Sequence, residues 1–185
     1  MTDLKIILLQ ALPFLASIFY TLGYRRDCGR VCAIFAIGGA SVYALYYFGM
    51  QAWMGLILFP LSFLFLVCIA FTRRHRAIRF LALSHICGCI IVFAFTVNSW
   101  IDIFPMLGSS LGTASLLFQN SEVKRKLTGI GSCTMFFLYA VSIGGTGMMI
   151  TTGFCILSTS QSLITKKPKP QPISSKPAER EPQTV

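Results

Sequence analysis

The fold turns on residues 52–97, which read AWMGLILFPLSFLFLVCIAFT (52–72), RRHRAIR (73–79) and FLALSHICGCIIVFAFTV (80–97). Two runs free of Asp, Glu, Lys and Arg flank a loop holding four arginines. A membrane-spanning helix needs roughly 20 mostly apolar residues, and each run comes close to that. A barrel strand would instead alternate apolar and polar side chains over about ten positions. Neither run alternates. The middle of the chain therefore reads as two transmembrane helices joined by a short basic loop.

The same pattern extends outward in both directions. Apolar runs bounded by charges and turn residues fall at 4–24, 31–49, 52–72, 80–97, 103–118, 127–143 and 147–165. The fifth and sixth are the shortest. Together they predict an all-α membrane protein of seven transmembrane helices, with residues 1–165 as one membrane domain and no extramembrane domain. Composition agrees, because only 12% of residues are charged and 55% are hydrophobic. Soluble domains carry about 25% charged residues.

The placement of basic residues then orients the chain. Arg25, Arg26 and Arg30 follow the first run, and Arg73, Arg74, Arg76 and Arg79 follow the third. Lys124, Arg125 and Lys126 follow the fifth, and Lys166, Lys167, Lys169, Lys176 and Arg180 follow the seventh. Only Lys5 of the 16 basic residues falls on the other side. The positive-inside rule makes the crowded side cytoplasmic, with the N-terminus outside and the C-terminus in the cytoplasm. The net charge of +10 is accounted for by these loops, so nucleic acid is not an expected partner. The lipid bilayer is.

Lys5 before an apolar run also fits a signal peptide. That run is long for a signal core, however, and no small-x-small cleavage site interrupts it. Tyr43, Tyr46, Tyr47, Trp53 and Trp100 lie near outer span ends and are expected in an aromatic belt. Residues 166–185 hold five of the eight prolines together with Ser, Gln and charges. Such a segment buries no apolar surface and is predicted to be a disordered cytoplasmic tail whose lysines graze anionic headgroups.

An internal repeat refines the layout. Pro13-Phe14-Leu15-Ala16-Ser17, with Thr21 four residues on, recurs as Pro105-Met106-Leu107-Gly108-Ser109 with Thr113 four residues on. Arg30 and Gly49 recur at the same separation as Arg125 and Gly144, and Met54 and Phe59 recur as Met149 and Phe154. Spans one to three (4–72) thus resemble spans five to seven (103–165), with span four (80–97) as a linker. One intervening span keeps both copies running in the same direction. They form two parallel three-helix repeats joined by a linker helix, related by an axis along the membrane normal.

This 3–1–3 layout resembles that of the SWEET, semiSWEET and PQ-loop proteins. At closer range the chain resembles the YgjV family of bacterial inner membrane proteins. The residues that carry this likeness are Gln10, Arg26-Asp27-x-x-Arg30, Phe104-Pro105-Met106-Leu107-Gly108-Ser109, Leu117-Phe118 and Ser142-Ile143-Gly144-Gly145-Thr146. The resemblance covers nearly all of the chain before the tail and implies a multi-pass protein of the bacterial inner membrane. One departure bears on chemistry. Asparagines that contact sugar in SWEET-like proteins are absent from the third and seventh spans, where Phe59-Pro60 and Ser158–Gln161 stand instead.

Candidate chemistry is sparse. Pro13, Ser17 and Thr21 share a helix face, as do Pro105, Ser109 and Thr113, and Gln10 lies near the first set. Proline kinks a helix and frees a carbonyl, so these six residues are the expected pathway for a small neutral polar solute. Hydroxyls in membrane helices equally serve as local glue, and that reading stays open. Gly108-x-x-x-Gly112 and Ala36-x-x-x-Ala40 point to close helix packing. Ser62, Thr151 and Ser158 could add polarity to the pathway. His85, alone among the imidazoles in mid-span, is expected to make a structural hydrogen bond from the linker helix to a neighbour.

The seven cysteines read as small packing residues, because Cys87-Gly-Cys89 lacks metal-ligand spacing. No catalytic or phosphate-binding pattern is present, so no enzyme activity, metal or cofactor is expected. Two functions follow from this reading: a facilitative carrier, or a non-transporting membrane protein that assembles with another complex. Partners in keeping with both are lipid and a second copy of the chain, as a homo-oligomer.

Overall fold

Residues 3–24, 29–72, 75–118 and 121–164 are described in the computed structural model. Among them every regular element is helical: α1 (Asp3–Tyr24), α2 (Gly29–Gly49), α3 (Trp53–Phe71), α4 (His75–Thr96), α5 (Ile103–Ala114), α6 (Glu122–Ser142) and α7 (Thr146–Ile164). Arg25, Arg26, Arg73, Arg74 and the tail, read above as cytoplasmic and disordered, lie outside the described residues.

The helices follow the apolar runs closely at most ends. α4 and α6 are the exceptions, since each starts five residues before its run. Arg and Lys are good helix formers, and Ser121 caps α6 by accepting from the Lys124 amide. Apolarity marks only the part of a helix that avoids water, so a polar first turn escapes it. Among the described residues, two helices are long and apolar enough to cross a membrane, Trp53–Phe71 and Arg76–Thr96. Leu4–Tyr20 and Ile34–Gly49 are shorter apolar helices.

The fifth run is not one helix. Its α-helical part covers 12 residues, about 18 Å at 1.5 Å per residue. Tighter 3-10 turns flank it at Trp100–Asp102 and Ser115–Phe118. Their steeper rise brings the whole to about 30 Å. Its start is fixed by a capping box. Ser99 accepts from the Ile101 amide at 3.3 Å, and the Asp102 carboxylate accepts from the Asn98 and Ser99 amides, both at 3.0 Å.

Short connections force chain neighbours to pack together. α1 packs on α2, α2 on α3, α5 on α6 and α6 on α7. α1 also packs on α7, and α3 on α5, so these six helices close into a ring. α4 stands outside the ring, against α3 and α5.

One end of the ring is filled by a core to which all six ring helices contribute. Its centre is Tyr46 and Tyr47 of α2, Tyr139 of α6 and Met148 of α7, with Leu9, Leu56 and Phe104 packed around it. Tyr47 meets Tyr46 and Tyr139 at ring-centroid distances of 5.7 and 6.1 Å. This corrects the aromatic-belt expectation for Tyr46 and Tyr47, which are buried, whereas Trp53 and Trp100 are exposed. A belt residue needs a face turned away from its own bundle, and the α2 tyrosines turn inward.

The connections at this end are tight. Gly144 takes φ +70° in the α6–α7 turn, a conformation that favours glycine. At the α1–α7 crossing, a Cβ on Gly147 would collide with the Gln10 carbonyl oxygen. Close backbone approach holds that contact, and the Gly147 amide donates to Gln10 Oε1 at 2.8 Å.

Candidate functional site

The six residues predicted to line a pathway do not gather in one place. Pro13 and Pro105 are both fully buried. Below Pro13, Ser17 donates back to the Pro13 carbonyl at 2.9 Å, the local bond that a helical hydroxyl makes most readily. Ser17 and Thr151 lie beside the Tyr43 phenol. The Thr21 side chain lies outside what the structure describes. The first set therefore sits at the contact between α1, α2 and α7.

The second set does something different. Ser109 and Thr113, one turn apart on α5, both reach a cluster built on the linker helix. Thr113 Oγ1 lies 3.0 Å from His85 Nδ1, and Ser62 Oγ of α3 lies 3.2 Å from His85 Nε2. Ser62 and Ser109 hydroxyls are 3.3 Å apart. Cys89, one turn beyond His85, places its sulfur 3.8 Å from Ser109 Oγ. Phe65 covers the imidazole face at a centroid distance of 4.6 Å. His85 and Thr113 are buried.

Helical spacing explains the assembly. His85 and Cys89 are i, i+4 on α4, and Ser109 and Thr113 are i, i+4 on α5, so each helix offers two polar groups on one face. Ser62 and His85 occupy the midpoints of α3 and α4, both long and apolar enough to cross a membrane. A neutral imidazole donates from one nitrogen and accepts at the other. One flanking hydroxyl therefore donates to the ring and the other accepts from it. The cluster presents both donor and acceptor capacity without a net charge.

Packing on the far side of α5 is set by its small residues. Ser132 of α6 donates to the Gly108 carbonyl at 2.7 Å. Cβ atoms added at Gly108 and Gly112 would press on Phe136 and Ser132.

A cleft of about 270 Å³ opens between the start of α3, the end of α4, the Trp100–Asp102 turn and the end of α6, lined by Gln51, Met54, Thr96, Ser99, Asp102 and Tyr139 among others. None of the six predicted residues lines it. Sequence reading missed this mouth. Its signal was Ser99-x-x-Asp102, a capping-box spacing that pins polar groups at a helix start. Reading also set His85 apart from Ser109 and Thr113, because the linker stands outside both repeats. α4, which packs against both α3 and α5, completes a polar cluster with them.

No protein-family model, curated protein or solved structure matches the chain.

Proposed function

We propose that this is a seven-span protein of the bacterial inner membrane, N-terminus outside, that carries a small neutral polar solute down its gradient. The observation that carries this reading is the cluster of Ser62, His85, Ser109 and Thr113 at the centre of otherwise apolar helices. Polar groups at that depth are costly unless they are used or paired, and these offer a neutral set of donors and acceptors.

The ring supports the 3–1–3 plan. Exchanging α1, α2 and α3 for α5, α6 and α7 turns the α3–α5 contact into the α7–α1 contact, and both exist. Large apolar side chains are exposed on all seven helices, from Leu4 on α1 to Ile164 on α7. A water-soluble monomer rarely tolerates so extensive an apolar exterior. Lys126, at the start of α6, donates to the Ser162 carbonyl near the end of α7 at 3.2 Å. Basic groups there sit beside the α7 C-terminus, the side assigned to the cytoplasm.

A second reading has its own observation. The hydroxyls of Ser62, Ser109 and Thr113 are engaged within the chain, as interhelical glue in a non-transporting assembly protein would be. Uptake by purified protein in proteoliposomes separates the two. Radiolabelled erythritol, glucose, glycerol and urea form the panel. Saturable uptake of any of them, lost in Ser109→Ala/Thr113→Val protein that still folds, supports the carrier. Flat uptake across the panel favours the assembly reading.

A further inference from the structure

The cleft opens where the start of α3 and the end of α4 meet the Trp100–Asp102 turn and the end of α6, and the polar cluster lies further along α3 and α4 with an apolar layer between them. That layer has Met54 and Leu58 of α3, Cys89 of α4 and Met106 of α5 buried at its centre, with Leu61, Val92, Phe93 and Leu107 packed against them. Met54 belongs both to the cleft lining and to the layer. Each helix repeats one order. Along α3, Met54 and Leu58 lead to Ser62. Along α4, Thr96 leads past Cys89 to His85. On α5, Asp102 leads past Met106 to Ser109 and Thr113. From Met54 to Ser62 is eight residues, about 12 Å of helix.

Among the described residues, the centre of the six-helix ring is filled at this end. There Tyr46, Tyr47, Tyr139 and Met148 are packed together and buried. The ring axis is stopped at this end by aromatic side chains, of which Tyr139 also borders the cleft, while the α3–α4–α5 seam holds an apolar layer and then the polar cluster.

We infer that the solute passes along the α3–α4–α5 seam, with the linker helix as one wall, Met54, Leu58 and Met106 as the gate, and Ser62, His85, Ser109 and Thr113 as the central binding site. This rests on the carrier reading. The gate is suited to its task because methionine side chains are unbranched and repack readily, so a small displacement of α5 from α3 opens it.

The binding site also defines a substrate class. Its hydroxyls already satisfy one another, so an entering solute must replace the bonds it breaks. A polyol or amide does so with its own donors and acceptors. An apolar molecule would leave buried hydroxyls orphaned at about 1–3 kcal/mol each. The seam therefore selects small uncharged solutes carrying both kinds of hydrogen-bonding group.

Cys89 reports on the route directly, since it is buried in the gate beside the central site. The test uses full-length protein in proteoliposomes, with the other six cysteines replaced by alanine and a water-soluble, membrane-impermeant maleimide added to the mouth side. Widening the gate by Leu58→Ala with Met106→Ala is expected to raise the Cys89 labelling rate at least tenfold over the parent. If that variant does not fold, Met54→Ala alone removes the layer's outer member and is expected to give a smaller rise.

Cys89 that stays unreactive in every folded gate variant overturns the route. Measuring uptake of erythritol, glucose, glycerol and urea on the same vesicles keeps the two ideas apart. Uptake without labelling leaves a carrier with a different path. Labelling without uptake by the parent leaves a water-accessible seam and removes the carrier. Faster labelling together with saturable uptake supports both.

Discussion

His85 lies on α4 and Thr113 on α5, and a 3.0 Å contact joins them. Replacing either is expected to cost about 1 kcal/mol, the scale of interhelical polar contacts in membranes. His85→Ala combined with Thr113→Val should then cost less than the sum of the two by about 0.5 kcal/mol or more, since both remove one interaction. Unfolding in mixed detergent micelles measures the cycle, and strict additivity would show that the contact carries no energy. The glycines make a second contrast at this scale. Nothing lies within 4 Å of a Cβ added at Gly129, whereas at Gly147 the Gln10 backbone occupies that space. Gly147→Ala should therefore lower the melting temperature by several degrees, with overpacking costing about 1–3 kcal/mol. Gly129→Ala should leave it unchanged or raise it, because alanine is the better helix former.

At the scale of elements, the apolar runs located the helices because exclusion from water is written residue by residue. What they left out depends on partners. The fifth run was legible as a span but not as a short α-helix between two 3-10 turns, a geometry set by the Ser99 and Asp102 cap and by packing against α4 and α6. Ser99→Ala and Asp102→Ala are each expected to destabilise the protein by about 1 kcal/mol, the usual cost of losing a cap. Hydrogen exchange should show faster opening confined to the amides at the start of α5. Protection unchanged in both variants would mean that packing alone holds that end. The paired motifs Pro13–Ser17 and Pro105–Ser109 were equally legible, yet identical local spacing meets different neighbours. Ser17 turns back to its own helix, while Ser109 is taken up by Ser62 and Cys89. No pattern within α5 could announce His85, because the contact depends on which helix the linker leans against.

At the scale of the whole molecule, charge placement and the polar cluster constrain what the proposed carrier could use. A reporter joined after Val185 should be cytoplasmic and one at the N-terminus external, and an external C-terminus would overturn the seven-span reading. Given that topology, the energetics follow from what the spans lack. Asp3, Lys5, Arg76, Arg79, Glu122 and Lys124–Lys126 all sit at helix starts, and no Asp, Glu, Lys or Arg occupies a span centre. A carrier coupled to protons or sodium ordinarily keeps a buried carboxylate for the ion. Uptake should therefore persist when a protonophore collapses the gradient, and it should run equally in either direction once solute is loaded on the other side. His85 is the one imidazole in the proposed site, the side chain a proton-coupled mechanism would have to use. It is also held by Ser62 and Thr113, so a proton there would remove the acceptor that one of those hydroxyls uses. His85→Gln keeps a donor and an acceptor without a titrating ring. Under the facilitative mechanism the uptake this variant keeps stays insensitive to the protonophore, as the parent's does. Uptake that fails with both the protonophore and His85→Gln would make the imidazole a coupling group, and the carrier would then be proton-driven through the linker helix.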